Sequence, residues 1–382
     1  MDDDPPAVVD GASPADAGAE AGGDDARPSD GDSAAPDAGG DGSTCKVGVG
    51  ALDPAYGARP VPYSLLRSLV TPAGVVHSVV RTDCPVDGGT KGLSLHTLDV
   101  GGSAGLQGCF GTAEGDVPRA VSLSGGTMYV TTTRPTGLLR GRVYGVDLAT
   151  GAATLLDEHA VAAKSVSPAF VVPGPSGAVW GGLEANVGGD TGFLKLTGRA
   201  AVTTGAEIPL GAAVRGADLY VVLHQPSPAG VVARRYTIGG TTLVEQTAFA
   251  AGGRSRVAVS GTAGFGAVDS ALVLDGDDLW FVAPVDGATQ GLYSIRKGAE
   301  IKLEKSFTGF IPGYLAQTCD RSIVTAALVP GGEVELSRHG GTWPAAPRVQ
   351  AISVHGFGVD GAGRVYVTVG RGAGAFVVRV NP

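Results

Sequence analysis

The chain has 382 residues, of which 43% are hydrophobic and 17% are charged, with 63 glycines and 24 prolines. Its formal net charge of -9 is concentrated at one end, because residues 1–44 contain twelve acidic side chains and a single basic one, Arg27. The remainder is nearly balanced, with 27 basic and 25 acidic side chains. No basic stripe is visible there, which excludes a nucleic-acid-binding protein, since such a protein needs clustered Lys and Arg against the phosphate backbone.

The first 44 residues consist almost wholly of Asp, Ala, Gly, Pro and Ser. They cannot bury enough apolar surface to offset the entropy of ordering, so we expect a disordered acidic linker over 1–44 and a folded domain over 45–382. The linker resembles the tether that follows the lipidated cysteine in bacterial surface lipoproteins, with Met1 in place of that cysteine. The resemblance implies an extracytoplasmic protein (on the cell surface, in the periplasm or secreted) that meets a membrane only through a lipid anchor. The alternative is a cytosolic protein with an acidic leader.

One pattern recurs along the folded part: an apolar stretch, a tight turn containing Gly, and a second apolar stretch that opens with an aromatic residue. Each copy is typical of a β-hairpin, because Gly supplies the positive φ of the turn and β-branched or aromatic residues suit a pleated strand. The clear copies are 122–130, 173–180, 214–221, 274–281 and 359–367. Two weaker copies, at 72–77 and 319–324, fill the gaps between them.

The seven copies recur about every 48 residues, which suits a four-stranded sheet with generous loops. Alternating segments such as Arg142–Leu156 and Gly291–Leu303 supply the further strands. No long segment with helical periodicity competes with them, and this leaves a propeller or a sandwich. Seven similar hairpins in series favour an all-β propeller of about seven four-stranded blades, with six or eight blades as the alternatives.

Two segments carry a family resemblance. Gly356–Val367 resembles the blade signature of NHL-type propellers, and Val143–Gly151 resembles blades of the quinoprotein-like group. Each likeness covers a single blade, and both groups host many unrelated functions. The recurrent Trp that should follow the Ala-Thr-Gly turn of quinone-binding blades does not occur here, so the resemblance implies blade geometry without a quinone cofactor.

The last blade shows three strands, near 352–359, 364–371 and 375–380. A three-stranded blade would leave a bare sheet edge, which closed rings avoid. We therefore predict that Lys46–Gly50 supplies the fourth strand by pairing with Ala375–Val380, so that the N-terminal chain closes the ring.

Four cysteines occur without any CxxC pair, which favours two structural disulfides over a zinc site. Among the three possible connectivities we favour Cys84–Cys109 within the first blade, with Cys84 in a loop that folds over the sheet. This bridge closes a 26-residue ring, worth about 3.5 kcal/mol in the chain-entropy model. A second bridge, Cys45–Cys319, follows by elimination.

No constellation of reactive residues stands above background, and we predict no catalytic, cofactor-binding or metal-binding residues. Ser103 lies in a Gly-x-Ser-x-Gly string, but it joins two predicted strands, whereas a nucleophile elbow needs a helix after the serine. Asp275–Asp278 falls where a hairpin turn is needed and lacks the other ligands of a calcium loop. His77 occupies an aromatic position of the repeat, which favours a packed ring. Trp343, in a predicted loop, is a candidate ligand platform, with cover for a sheet edge as the alternative.

Propellers bind ligands over the central channel or across the loop face. The sequence therefore favours a monomeric, non-enzymatic binding or scaffold protein that recognises a protein or a glycan and uses no cofactor. The alternatives are a hydrolase or lyase of sugars or lactones with a site at the channel mouth, and a purely structural surface protein. An enzyme would project several ionisable side chains from its innermost strands, whereas Arg67, Gln317 and His355 are the few polar interruptions there.

Overall fold

The computed structural model describes residues 50–61, 66–86, 89–112, 116–134, 140–185, 189–250, 253–258, 272–275, 278–286, 289–296, 300–308, 311–340, 343, 346–372 and 374–381. These all belong to one compact unit, Pro36–Pro382. They form 29 β-strands, and no α-helix occurs among them. Within these ranges, accordingly, no helical segment is long and apolar enough to cross a membrane. The predicted linker over 1–44 lies outside the described residues.

The strands form seven antiparallel units, which we call blades 1 to 7 in chain order. Blade 1 comprises β2 (Arg67–Val70), β3 (Val76–Val86), β4 (Gly89–Leu98) and β5 (Ala104–Phe110). Blade 2 comprises β6 (Val117–Ser124), β7 (Thr127–Thr133), β8 (Gly141–Asp147) and β9 (Ala153–His159). Blade 3 comprises β10 (Ser165–Gly174), β11 (Gly177–Ala185), β12 (Thr191–Leu196) and β13 (Ala201–Gly205).

The other blades repeat this order. Blade 4 comprises β14 (Ile208–Arg215), β15 (Asp218–Gln225), β16 (Gly230–Ile238), β17 (Leu243–Glu245) and β18 (Arg254–Ala258), the last two pairing with different halves of β16. Blade 5 comprises β19 (Leu272–Asp275), β20 (Asp278–Pro284), β21 (Thr289–Ile295) and β22 (Ile301–Thr308). Blade 6 comprises β23 (Ile311–Gln317), β24 (Ile323–Val329), β25 (Glu333–His339) and β26 (Arg348–Gln350). Blade 7 comprises β27 (Ser353–Val359), β28 (Val365–Arg371), β29 (Gly374–Val380) and β1 (Arg59–Val61).

The first strand of each blade lies innermost. Each innermost strand contacts that of the next blade, from β2 through β6, β10, β14, β19 and β23 to β27, and β27 returns to β2. At this return Ser68 pairs in parallel with Gly356, which joins blades 7 and 1 into one eight-stranded sheet. A closed ring of seven antiparallel sheets is a β-propeller, as the recurring hairpins predicted.

The hydrophobic core lies between blades rather than within one sheet. Trp180 of blade 3, fully buried, packs with Val143 of blade 2, and Tyr366 of blade 7 packs with Val76 of blade 1. A single sheet with two apolar faces cannot remove both faces from water by itself. Each blade therefore buries its two faces against the two neighbouring blades. The aromatic residue of the repeat therefore has a structural role. His77, at the same position in blade 1, is buried, and burial lowers the pKa of its imidazole.

The N-terminal chain completes blade 7, but not with the predicted segment. The fourth strand is β1, whose Arg59 and Val61 pair with Val377 and Ala375 of β29. Upstream, Leu52 forms a single bridge with Val380. Lys46–Val49 lies outside the described residues, and the observed strand begins 13 residues after Lys46. The intervening chain makes a turn in which the Asp53 side chain accepts hydrogen bonds from the backbone amides of Ala55 and Tyr56. Because of this turn, the segment that pairs with β29 lies further along the chain than the predicted segment.

The Cys84–Cys109 disulfide is present, with 5.8 Å between the Cα atoms. The predicted loop around Cys84 is wrong, because β3 and β4 continue as a paired hairpin as far as Val86 and Gly89. The register of this hairpin shifts between Arg81 and Cys84. This shift in register, rather than a loop, brings Cys84 close to β5, the outermost strand of blade 1. Cys319 is also disulfide-bonded. Cys45, its predicted partner, lies outside the described residues, so that pairing stays a prediction.

Candidate functional site

The innermost strands share an irregularity near the end at which they begin. In blades 2, 3, 4 and 7 one residue bulges between two ladder pairs; these bulged residues are Arg119, Ala169, Leu210 and His355. In blade 6 the same shift falls between Ile311 and Tyr314. A bulge bends the strand and turns a side chain out of the regular alternation, and bulges are frequent next to functional sites. We call this end of the blades the bulge face.

Three neighbouring blades carry ionisable side chains at this place, and the structure brings them together. The Nε of Arg67, the first residue of β2, donates a hydrogen bond of 2.8 Å to the backbone carbonyl of Arg119. One Nη of Arg67 donates to the carbonyl of Leu66 at 3.1 Å, and the Nε of Arg119 donates to the Thr133 hydroxyl at 3.2 Å. Arg67 and Arg119 therefore meet at the inner edge of blades 1 and 2, and His355, the bulged residue of blade 7, lies near enough for the Arg67 charge to act on its imidazole. We call these three residues the Arg–His cluster.

His355 is held in its neutral form near pH 7. Burial, and then the positive charge of Arg67, lowers the pKa of its imidazole to about 4. Its Nε2 lies 2.9 Å from the Ser353 hydroxyl. The cluster thus combines two permanent positive charges with an imidazole that can donate one hydrogen bond and accept another.

A second set of arginines lies further from the centre on the bulge face. Arg134 and Arg371 stand at or just after the last residue of the second strand in blades 2 and 7, and Arg81 lies where the β3–β4 register shifts in blade 1. All three are half-buried. The Nε of Arg371 donates to the carbonyl of Gln350 in β26, the outermost strand of blade 6, and its guanidinium lies 5.8 Å from the Phe376 ring centroid. We call these three the outer arginines.

The other blades differ at the same places. The bulged residues Ala169 and Leu210 carry no charge, and the second-strand ends of blades 3 to 6 bear Glu184, Gln225, Val285 and Val329. The arginines at these positions therefore belong to three consecutive blades, 7, 1 and 2, and we call them the arginine arc. Other charges share the face: Arg256 of blade 4 bonds to Gln225, and Glu158 of blade 2 pairs with Arg140 and Arg142. Glu184, at the border of this arc, accepts hydrogen bonds from Lys164 and His159; burial raises its pKa, but these bonds outweigh burial and hold the pKa below its usual value.

Two buried polar networks lie at blade 2, and the second of them connects it to blade 3. Asp116, fully buried, accepts hydrogen bonds from Arg142 at 3.0 Å and from the Tyr144 hydroxyl at 2.8 Å. Asp157 of blade 2 accepts from the Lys195 ammonium at 2.7 Å and the Trp180 indole at 3.0 Å, both in blade 3. Because these carboxylates are already bonded in the interior, we assign the networks to structure rather than to ligand binding.

The residues singled out in the sequence are scattered. Ser103 lies in the turn between β4 and β5, where its amide donates to the Asp99 carboxylate, so no helix follows it. Gln317 ends β23 at the opposite end from the bulge face, and its buried Nε2 has no hydrogen-bond partner among the described residues. Trp343 packs against the core between blades 6 and 7 and beside Gly50, where its ring would lie 2.5 Å from an added Cβ. That packing agrees with cover for a sheet edge, while its role as a ligand platform stays a prediction.

The sequence identified Arg67 and His355 only as separate polar residues in the predicted innermost strands, and it did not identify Arg119. The sequence predicts the innermost strand of blade 2 over Ala120–Leu123, and Arg119 lies one residue before it. The bulge at Arg119 breaks the alternation of side chains, so the pattern did not include it. A signal was nevertheless present: Pro118, Pro168, Pro209 and Pro312 recur at the start of innermost strands. Proline lacks an amide donor and is tolerated in strands at edges and bulges. The residue that follows each of these prolines was therefore a candidate for a bulged position.

The fold and the cluster define a seven-bladed β-propeller with arginines on three neighbouring blades of one face. No protein-family model and no curated protein matches the chain. Its structure is similar to that of a “putative 6-phosphogluconolactonase” from Bacteroides fragilis, at 13% identity and a TM-score of 0.50, over 76% of this chain and 86% of that one. A protein of the same description from Bacteroides uniformis matches at 12% identity and a TM-score of 0.50, over 76% of this chain and 88% of that one.

The WD40 β-propeller domain of Doa1 matches at 11% identity and a TM-score of 0.48, over 85% of this chain and 95% of that one. At such identities the likenesses to the two Bacteroides proteins show the shared fold and nothing further, because propellers of one architecture host unrelated functions.

Proposed function

We propose that this protein is a non-enzymatic, extracytoplasmic binding propeller that recognises an anionic ligand with the Arg–His cluster. The observation that carries the proposal is the meeting of Arg67, Arg119 and His355 at the inner edge of three neighbouring blades. Guanidinium groups bind carboxylate and phosphate oxygens through short, charge-assisted hydrogen bonds. The location at the bulge face agrees with the usual position of propeller ligands, over the channel or across the loops.

The local geometry supports a preorganised site. Arg67 bonds across the blade junction to the backbone of Arg119, and Arg119 bonds to Thr133 within its own blade. A guanidinium held by such contacts loses less side-chain entropy when a ligand binds. His355, neutral at pH 7, adds a directional partner for a hydroxyl or a carbonyl.

The extracytoplasmic part of the proposal draws on other features. The Cys84–Cys109 disulfide is typical of oxidising compartments. The acidic stretch over 1–44 resembles a lipoprotein tether. A lipid-tethered propeller that faces the cell exterior or the periplasm meets polysaccharides and secreted proteins as its ligands.

Titration calorimetry with three probes tests the proposal: oligogalacturonate, a poly-glutamate peptide and a neutral malto-oligosaccharide. We expect one of the acidic probes to bind and the neutral one not to bind. Arg67→Gln and Arg119→Gln should each weaken binding by about tenfold or more, the loss of one charge-assisted contact. Arg199→Gln is the matched control, because it removes one positive charge at an exposed turn of blade 3, away from the cluster. Equal affinity of all three variants, or equal binding of the neutral probe, would show that the cluster is not the ligand site.

A second candidate, a lactone or sugar hydrolase, is favoured by one specific feature. His355 is neutral at pH 7, lies 2.9 Å from the Ser353 hydroxyl and stands beside Arg67, so it could accept a proton from water while Arg67 binds a developing oxyanion. The fold shared with the two Bacteroides proteins is compatible with this alternative. Opening of gluconolactone and its 6-phosphate, followed by pH-stat titration, tests it. A rate equal to that of buffer, or equal in wild type and His355→Gln, would reject it.

A further inference from the structure

The outer arginines extend the positive charge well beyond the Arg–His cluster. Arg81, Arg134 and Arg371 belong to the same three blades as the cluster and stand at the same face. Arg371 is held outward, because its Nε donates to Gln350 in the outermost strand of blade 6. In the sheet shared by blades 7 and 1, β28 and β2 are separated by two strand spacings, or about 10 Å, and the Arg371 side chain points away from β2 towards blade 6. A ligand that reaches from Arg67 to Arg371 must therefore be longer than one sugar or one carboxylate.

We infer that the ligand is an acidic polysaccharide, which places one anionic group in the Arg–His cluster and further groups against the outer arginines. The inference rests on the proposed binding function and names its ligand class. Two rows of arginines over three blades suit a chain with repeated negative charges along its length. The Ser353 hydroxyl and the His355 imidazole, which are neutral groups of the cluster, suit the hydroxyls of the sugar rings.

The charge pattern favours a polysaccharide over a nucleic acid. Duplex DNA carries one negative charge for about every 1.7 Å of axis, and its binding proteins present a dense basic surface. Residues 45–382 carry 27 basic and 25 acidic side chains, so the arc is a local feature of a nearly neutral body. At its border Glu184, next to the last residue of β11 in blade 3, is paired with Lys164. A chain with about one carboxylate per sugar matches a few spaced arginines better than a continuous phosphate backbone does.

Affinity as a function of chain length tests the inference. The probes are galacturonate and its oligomers of two, four and six units, titrated against wild type, Arg67→Gln and the double variant Arg134→Gln/Arg371→Gln. We expect the six-unit oligomer to bind wild type at least tenfold more tightly than galacturonate. The double variant should lose this gain and keep the affinity for galacturonate, while Arg67→Gln weakens binding at every length. Arg199→Gln should bind each oligomer with the affinity of wild type. A thermal melt of each variant verifies that it folds.

The outcomes separate the inference from the proposed function. Affinity that does not depend on length, or a double variant that weakens all lengths equally, would overturn the polysaccharide while leaving the cluster as an anion site. Tighter binding of poly-glutamate or of a DNA oligonucleotide than of the six-unit oligomer would also overturn it, in favour of a peptide or a nucleic acid. Failure of every acidic probe to bind would reject both the inference and the anion-binding function.

Discussion

Asp53 and Arg379 form an ion pair across 326 positions of sequence, with 2.6 Å between the Asp53 Oδ2 and the Arg379 Nη2. Their side chains are only 8% and 13% exposed. The Arg379 guanidinium also lies 4.5 Å from the Tyr56 ring centroid, and the Tyr56 ring meets Tyr366 edge-on. Burial raises the pKa of Asp53, but the bonds from Arg379 and from the Tyr56 amide outweigh it and lower the pKa overall. This pair fastens the first described segment to the last strand and so closes the ring.

Replacing Asp53 by Ala should therefore destabilise the whole propeller. The change leaves the Arg379 charge buried without its carboxylate, which costs roughly 3–5 kcal/mol at buried pairs. Guanidinium denaturation followed by tryptophan fluorescence measures the loss. Glu335→Ala is the control, because its partner Arg348 is 56% exposed and a surface pair contributes about 1 kcal/mol or less. Similar losses in the two variants would show that Asp53 does not hold the ring closed.

Blades 1 and 2 approach so closely at Gly151 that no side chain fits. Gly151 has φ of 71°, and an added Cβ would lie 2.4 Å from the Gln107 carbonyl oxygen of β5. We expect Gly151→Ala to cost about 1 kcal/mol from φ and roughly 1–3 kcal/mol more from the clash. Gly198→Ala isolates the first contribution, because Gly198 has φ of 72° and no atom of the described residues lies within 4 Å of an added Cβ. Equal melting temperatures for the two variants would contradict the close approach.

The Cys84–Cys109 disulfide should stabilise blade 1 by constraining the unfolded chain. The cysteines are 25 positions apart, and in the chain-entropy model closing such a ring contributes about 3.5 kcal/mol. The double variant Cys84→Ser/Cys109→Ser should lower the free energy of unfolding by up to this amount under non-reducing conditions. Dithiothreitol should then lower the stability of wild type more than that of the variant. An equal response of the two proteins would show that this bridge contributes nothing.

Three histidines should make the propeller less stable in mild acid. Burial lowers the pKa values of His224, His339 and His355 to about 4 in the folded protein, from an ordinary value of 6.5. Between these limits the unfolded chain binds more protons than the folded one, so the free energy of unfolding falls as pH falls from about 6.5 towards 4. Urea denaturation at pH 7.5, 6.5, 5.5 and 4.5 measures this slope.

The triple variant His224→Gln/His339→Gln/His355→Gln should flatten the slope. Asp320→Asn is the comparison, because its effect falls in a lower window. Burial raises the pKa of Asp320, but hydrogen bonds from Thr318 and Ser322 outweigh it and hold the pKa at about 2, below the ordinary 3.8. The stability from Asp320 is therefore present above about pH 4 and is lost below it. A triple variant as acid-sensitive as wild type would rule out the histidines as the cause.

The sequence by itself determined the unit of the fold. Glycine-rich turns followed by aromatic residues, as at Tyr129 and Trp180, specify hairpins through local backbone preferences. Their repetition over the chain predicted an all-β propeller of about seven blades, because a hairpin with two apolar faces needs neighbours on both sides. The Cys84–Cys109 pairing also followed, since both cysteines fall in one predicted blade.

Only the tertiary structure decided which distant residues meet. Arg67, Arg119 and His355 lie in three blades at opposite ends of the sequence, and their meeting depends on the circular order of the blades and on bulges that turn single side chains. The closing strand was likewise decided by tertiary contacts: the turn at Asp53 and its pair with Arg379 select Arg59–Val61 over the upstream segment. Local sequence determines the backbone preferences of a few neighbouring residues. Charged side chains from distant parts of the chain attract each other strongly only after the folded ring has brought them together.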